Sequence, residues 1–402
     1  MIISIVQITL ISICGFFMLY LAILSILAYK ERDIKSLQAQ TKKKFVIVVP
    51  AYNEADTIAR TLQNLLDVDY PADKFDVLVI ADNCTDNTAE IAKKEGTKVM
   101  IRNNPEKRGK GYALRYCFDK MLQNKKKYPY DAVVVVDADS IVTENLLRVM
   151  NKYSEGGGKV IQGYLTVDSK PNVWTSEIIR IGFALYNYVR PLARRALGYP
   201  AGLRGNGMCF SMDVLEEIPW DAYSLTEDLE YGLKLLLHDV NVVFAPEAIG
   251  YNVVPEDAKN AESQRERWEI GRYPVLKKYF GKLFLTALKR RSFKILDTLI
   301  DLVTPPIVNL LVFSAVMSVA SLLLWWFGIQ QTLLYFWLWC GVIGLGIFHA
   351  LLGLHAANAG KSAYRSLLYV PKYALWKIYI YFKILFKGRT SEWVRTSREN
   401  NS

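Results

Sequence analysis

The hydrophobic positions of this chain gather at its two ends, and between those ends short apolar runs alternate with helical periods. Met1–Tyr29 holds no charged residue, a stretch long enough to cross a bilayer and too long for the apolar core of a signal peptide. Ile307–Phe327 and Thr332–Leu354 are two more uncharged runs of spanning length, separated only by Gly328, Ile329, Gln330 and Gln331. They predict a transmembrane hairpin. From Lys44 to about Val167 the period changes repeatedly. Phe45–Val49, Asp76–Ile80, Lys98–Ile101 and Ala132–Val136 are predicted strands. Ala55–Leu66, Asp86–Glu95 and Gly111–Leu122 are predicted helices, the first with Ile58, Leu62, Leu65 and Leu66 along one side. This alternation is the pattern of a doubly wound parallel sheet.

One strand carries the first candidate chemistry. AVVVVDADS, Ala132–Ser140, ends a run of valines in two carboxylates, Asp137 and Asp139. Ligands of open α/β sheets bind beyond the carboxyl ends of the strands. Two carboxylates there suit a hard divalent cation that bridges diphosphate oxygens, although an isolated pair of this kind is more often a solvated strand end. Two other strand ends carry polar turns, Pro50-Ala51-Tyr52-Asn53-Glu54 and Asp82-Asn83-Cys84-Thr85-Asp86. Three such turns on one rim fit a nucleotide site. Lys107-Arg108-Gly109-Lys110-Gly111 opens a further helix; it suits phosphate and equally suits a solvated basic loop.

Charge changes the picture of location. Lys30, Arg32, Lys35, Lys42, Lys43 and Lys44 follow the first apolar run, which has no basic residue ahead of it. The positive-inside rule then sets the N-terminus outside the cell membrane and the rest of the chain, including the basic tail from Lys361, in the cytoplasm. The net charge of +11 requires an anionic partner. Its placement beside the apolar runs favours lipid head groups over nucleic acid. Cys14, Cys84, Cys117, Cys209 and Cys340 are scattered without a C-x-x-C, which predicts free thiols in a reducing compartment.

Further along, residues 174–197 form an aromatic-rich helical stretch with Arg180, Arg190, Arg194 and Arg195, suited either to a core or to a membrane surface. Gly202–Gly207, GLRGNG, is a loop whose backbone is able to close over a substrate, with Gly205 and Asn206 at its centre. Ser224-Leu225-Thr226-Glu227-Asp228 opens a helix at Glu227–His238, where Ser224 and Glu227 fit a capping box. That accounts for Glu227 and leaves Asp228 on a first turn, where the helix dipole favours the ionised form a general base needs. Gln264, Arg267 and Trp268 share one helical face, with Gly271 one turn on. Arg267 can fork onto a phosphate and Trp268 offers a platform for a sugar ring, while a buried Trp beside a surface Arg is the commoner meaning of such a pair.

The ordered set PAYNE, DNCTD, DAD, TED and QRERW resembles the membrane-embedded family 2 glycosyltransferases, which include cellulose, chitin and hyaluronan synthases. The resemblance covers roughly residues 44–280. It implies an α/β fold with a GT-A-like doubly wound mixed sheet, flanked by transmembrane and interfacial helices. It also implies a UDP-sugar donor, a Mg²⁺ or Mn²⁺ ion, a glycan or lipid acceptor, and inversion at the anomeric carbon. Carried over residue by residue, Tyr52, Glu54 and Asp82 contact the nucleoside, with Lys110 among the nucleotide-sugar contacts. Asp137 and Asp139 take the sugar diphosphate and the metal. Asp228 is the base, with Glu227 beside it, and Gln264, Arg267 and Trp268 hold the diphosphate and the acceptor end. Many relatives have a double aspartate where this chain has Ala81-Asp82, which weakens the nucleoside contact.

The expected organisation is a membrane helix at 1–30, a cytoplasmic transferase domain at 44–280, an interfacial helix at 281–300, a membrane hairpin at 301–357 and a cytoplasmic tail at 361–402. Arg365, Lys372, Lys383 and Lys387 lie opposite Leu367, Ala374, Ile378 and Leu385 on a helical wheel, which suits an anionic leaflet, though Pro371 interrupts it. Trp393, Arg395 and Thr396 resemble a gating segment that closes over UDP; a frayed tail is the other reading. The expected function is a processive polysaccharide synthase, and the alternative is a non-processive transferase acting on a polyprenyl-phosphate or lipid. Three spans make a poor pore, so either the chain forms homo-oligomers or the product leaves by another route.

Overall fold

A computed structural model describes residues 2–32, 40–168, 174–253 and 258–376, with side chains for all of these except 174, 175, 253 and 258–270. They form two compact units.

The first unit is built on one sheet. Its strands are β1 (Phe45–Ala51), β2 (Phe75–Asp82), β3 (Lys98–Arg102), β4 (Ala132–Val135), β5 (Ser140–Val142), β6 (Val160–Asp168), β7 (Met208–Ser211) and β8 (Val242–Val253). Their spatial order is β3-β2-β1-β4-β7-β6-β8-β5. β3, β2, β1 and β4 are mutually parallel, whereas β7 pairs antiparallel with both β4 and β6. The sheet is therefore mixed, as the family resemblance implies, and not purely parallel as alternation alone suggests. The chain winds outward from β1 to β3 and then crosses to β4 on the other side of β1, which opens a crevice at the carboxyl ends of β1 and β4.

The valine-rich strands are apolar on both faces because helices cover both. Between β1 and β2 lies α2 (Ile58–Leu66); α3 (Thr88–Lys94), α4 (Lys110–Gln123) and α5 (Leu146–Glu155) follow β2, β3 and β5. One layer of the core joins Ile47, Val49, Val79, Val134 and Val136 to Ile58, Leu62 and Leu65 of α2 and Leu147 and Met150 of α5. Each fully buried side chain of this kind contributes about 1.5–3 kcal/mol, so this layer holds the rim in place.

The second unit is helical. It contains α1 (Ile2–Glu31), α6 (Trp174–Phe183), a π turn over Ala184–Val189, and α7 (Arg190–Ala196). The sheet unit's remaining helices come next in the chain on either side of β8: α8 (Met212–Glu217), α9 (Glu227–Leu237), α10 (Ala258–Arg290) and α11 (Phe293–Val303). The helical unit resumes with α12 (Ile307–Trp326), α13 (Thr332–Ala356) and α14 (Lys361–Ser366). α1, α12 and α13 are each long and apolar enough to cross a membrane.

Met18 and Leu21 of α1, Leu310 of α12 and Trp339 and Val342 of α13 form the core of the helical unit. A Cβ on Gly346 would come within 2.7 Å of Leu311, so the absence of a side chain there permits the close approach of α12 and α13. Gln7 donates from Nε2 to Ser321 Oγ (3.2 Å) and accepts from Trp339 Nε1 (2.8 Å). Most of residues 184–194 are buried, Arg190 and Arg194 included, and Arg194 donates to Tyr20 Oη at 2.9 Å. Residues 370–376 are helical, so Pro371 occupies a first turn, where it costs no hydrogen bond. Lys383, Lys387, Trp393, Arg395 and Thr396 lie outside the described residues.

Candidate active site

The rim at the ends of β1 and β2 is laced by side chains of the two polar turns. Asn53 and Asn83 both take positive φ, 54° each, a conformation Asn tolerates better than most residues. Asn53 accepts from Thr85 N (2.7 Å) and donates to Thr85 Oγ1 (3.1 Å), while Asp86 accepts from Ala55 N and Thr88. Tyr52 and Glu54 are held half-buried on this turn, with Thr57 Oγ1 donating to Glu54 Oε2 at 3.0 Å. Asp82 is buried in an ion pair with Arg102, which also donates to the carbonyl of Lys107. Burial raises the Asp82 pKa and the Arg102 hydrogen bond opposes the rise.

The centre of the site lies at the end of β4. Lys110, the first residue of α4, places its ammonium 2.5 Å from Asp137 Oδ1 and 3.9 Å from Glu227 Oε1, and donates to the carbonyl of Gly205. Three segments far apart in the chain thus meet on one cation. Burial alone would lower the Lys110 pKa, but Asp137 and Glu227 raise it on balance, so it stays charged. Burial pushes Glu227 up to about 7; Lys110 opposes this and Asp228 adds to it. Burial likewise raises Asp228, against the pull of the Leu229 backbone N–H, Lys110 and Arg204. The side chains of Lys110, Asp137 and Glu227 keep 23, 30 and 12% exposure, so the cluster sits deep but opens to solvent.

One local expectation is corrected here, while at Asp228 burial acts against the helix dipole that favours its ionised form. The capping box of Ser224 and Glu227 does not form: Thr226 is the cap residue of α9, and the backbone N–H of Ser224 donates to Glu230 at 3.3 Å instead. Glu227 is thereby released from a capping role and turns toward Lys110.

The glycine-rich loop is the other wall. Gly202, Gly205 and Gly207 all have positive φ, and a Cβ on Gly205 would sit 3.2 Å from Asp228 Oδ2. The Asn206 side chain does not face an open substrate space. It is 1% exposed, donates to Ser140 Oγ and Asn252 Oδ1 at 2.8 Å each, and accepts from Asp137 N at 3.2 Å. It ties the loop to the Asp137 turn, and Gln162 clamps the loop from below by binding the Asn206 carbonyl and the Arg204 N–H. Sequence reasoning missed Gln162, Arg204, Asn252 and Arg102, because single polar residues in or beside strands carry no local signal of the loop they will hold. Asp139 is half-buried beside Asp137, with Ser140 Oγ at 3.4 Å.

Gln264, Arg267 and Trp268 lie on the first three turns of α10, and their side chains are outside the described residues. The glycine that follows them is described. A Cβ on Gly271 would meet Thr226 Cγ2 at 2.9 Å, and Thr226 Oγ1 donates to the Gly271 carbonyl at 3.1 Å. The close approach that Gly271 permits is thus to the segment carrying Glu227 and Asp228.

The donor set fits a divalent cation completed by substrate. Among the described residues no three His, Cys, Asp or Glu side chains form a protein cage. Mg²⁺ and similar ions in phosphate sites take only one or two carboxylates, the remainder coming from water and phosphate oxygens. Asp137 and Asp139 meet that requirement at the crevice where a diphosphate would lie.

Residues 42–271 match the family described as Glycosyltransferase like family 2. The chain belongs to the family 2 glycosyltransferases. It is 26% identical over 275 residues to the probable glycosyltransferase YdaM of Bacillus subtilis, covering 65% of this chain and 64% of that one. It is 27% identical over 277 residues to a poly-beta-1,6-N-acetyl-D-glucosamine synthase of Staphylococcus aureus, covering 66% and 65%. This family 2 enzyme thus spans less than two thirds of the length of either relative. Its fold is similar to that of the mannosyltransferase PcManGT from Pyrobaculum calidifontis, solved with GDP-Man and Mn²⁺, with a TM-score of 0.54 at 16% identity over 94% of this chain and all of that one.

Proposed function

We propose that this enzyme is an inverting polysaccharide synthase that moves a sugar from a UDP-sugar to a hydroxyl of a growing glycan, with its transferase unit on the cytoplasmic side of a membrane. The observation that carries this reading is the meeting of Asp137, Lys110, Glu227 and the Gly205 carbonyl at the β4 rim, with Asp228 against Gly205. One base and a stabilised leaving diphosphate suffice for a single in-line displacement. Asp228 takes the proton of the acceptor hydroxyl, and its oxygen attacks the anomeric carbon opposite the diphosphate. The C–O bond to the diphosphate breaks, the diphosphate leaves with the electron pair, and configuration inverts.

Lys110 holds positive charge where the diphosphate departs, and Arg204 favours the ionised form of Asp228. Tyr52, Glu54 and Asp82 line the nucleoside end, while Gln264, Arg267 and Trp268 serve the diphosphate and the acceptor. A bound Mg²⁺ or Mn²⁺ on Asp137 and Asp139 would neutralise charge on the leaving diphosphate.

The similarity to a poly-beta-1,6-N-acetyl-D-glucosamine synthase supports a polymeric product. A second reading, single transfer to a lipid-linked acceptor, is favoured by the three helices of spanning length among the described residues, few for a pore. The test is to incubate purified chain with a panel of UDP-sugars, following UDP release and product size on a gel. A ladder of long glycan supports the synthase; a single short lipid-linked product selects the second reading, and no UDP release with any sugar sinks both.

A further inference from the structure

Glu230 takes no part in the displacement proposed above, yet it sits on the first turn of α9 with Glu227 and Asp228 and is only 6% exposed. A carboxylate that deep is costly unless it is paired and hydrogen-bonded. Glu230 meets both conditions. Lys278 of α10 reaches in from a largely exposed position and donates from Nζ at 2.5 Å, and the Ser224 N–H donates at 3.3 Å. One carboxylate thus holds both the turn ahead of Thr226-Glu227-Asp228 and a helix from later in the chain. Buried ion pairs seldom stabilise a fold more than an apolar contact of similar volume would, so stability is a poor reason for this one. Geometry is a better reason, because the pair selects the turn of α10 that lies against the start of α9.

That register is set at a second point. Thr226 Oγ1 donates to the Gly271 carbonyl at 3.1 Å, in a contact too close for a side chain at 271. Gly271 and Lys278 are roughly two turns apart on α10, and Thr226 and Glu230 roughly one turn apart on α9. Beyond them Leu233, Leu236 and Leu237 of α9 share a core with Val275 and Leu283 of α10. Apolar contact of this kind is non-directional and separates one register from the next only weakly, whereas the two polar contacts admit a single register. α10 also needs the support. Pro274 lies inside the helix, and proline removes the bond to the carbonyl four residues earlier. The helix is thus weakened between Lys278 and its first three turns, which carry Gln264, Arg267 and Trp268, and Thr226 grips it at that place.

We propose that Glu230 is a positioning residue, which through Lys278 and the Ser224 N–H sets where Asp228 stands relative to α10. The inference rests on the reading of Asp228 as the base. The test follows UDP release by the full chain in detergent from a panel of UDP-sugars, with UDP affinity by calorimetry and Tm measured alongside. No release by the wild type from any of them would overturn that reading and this inference with it; with an active wild type the variants address Glu230 alone. Glu230→Met and Lys278→Met are each expected to lower kcat about 10- to 100-fold, the loss that a displacement on the order of 1 Å causes, with UDP affinity unchanged. The two substitutions alter local charge in opposite senses, so an equal loss identifies position as the cause. Lys278→Arg keeps the cation and is expected to retain turnover. The double variant Glu230→Met, Lys278→Met leaves no buried charge unpaired, which keeps the test open if one single variant is unstable. Its loss is expected to be no greater than that of either single variant, at a Tm no lower than that of the wild type. Turnover near wild type in the double variant, losses that add, a loss in Lys278→Arg as deep as in Lys278→Met, or UDP affinity falling in step with kcat would each overturn the proposal.

Discussion

Asp228 is held in a state that folding alone disfavours. Its carboxyl pKa is raised by burial, so the folded chain binds a proton more tightly than the unfolded chain. Stability from this group is therefore greatest below the unfolded pKa, about 4, and is lost as pH rises through the higher native value. Asp228→Asn removes that penalty. It is expected to raise the apo-protein's Tm by a few degrees at neutral pH while lowering kcat by about 10³-fold or more, with UDP still binding in calorimetry. An unchanged kcat would exclude Asp228 as the base. Lys110 lowers the pKa of both Glu227 and Asp228. In Lys110→Met both carboxyls rise further, so the acid limb of the pH–rate profile is expected to move to higher pH. The residues that meet at the candidate site were legible here because D-x-D, TED and the Lys110 loop are local words in the chain. Asn206 and Gln162 were not, since their work is to join loops that are distant in sequence.

Among the elements, the α4 start and the segment before α9 are joined by a contact that tolerates no side chain. A Cβ on Gly111 would lie 2.2 Å from the Ala222 carbonyl oxygen, which is backbone and cannot rotate away. Gly111→Ala is expected to destabilise the fold by about 1–3 kcal/mol and to lower activity by shifting Lys110 from Asp137, as urea unfolding and turnover would show. The first four strands were legible because their valine runs are continuous and their turns polar. β7 and β8 were not. β7 has four residues, and β8 contains Pro246 and pairs with β6 across a register shift between Gly163 and Tyr164, which erases any period of two. The antiparallel insertion of β7 is equally silent, because direction is set by the return path of the chain.

For the molecule as a whole, the incomplete carboxylate set makes a prediction about metal. Chelation with EDTA is expected to abolish transfer, and added Mg²⁺ or Mn²⁺ to restore it. The Tm of the donor-free protein should hardly move, because among the described residues no protein cage exists for the ion to stabilise. Retained turnover after exhaustive chelation would remove the metal from the proposal. The division into a sheet unit and a helical unit was only partly legible. The apolar runs announced α1, α12 and α13, but nothing local assigned residues 174–197 to their company, since an aromatic-rich helix with Arg180, Arg190, Arg194 and Arg195 suits a core and a membrane surface alike.

The bond network of Gln7 sets a timetable for assembly. Its partners Ser321 and Trp339 lie 314 and 332 residues further along the chain. A ribosome adding about 5–20 residues per second takes roughly 15 to 60 s to reach them. Throughout that delay the first helix carries an amide without its eventual companions, and the whole sheet unit is translated meanwhile. The three long helices can therefore lock together only once Trp339 has been made, after the strands of the sheet unit have already emerged.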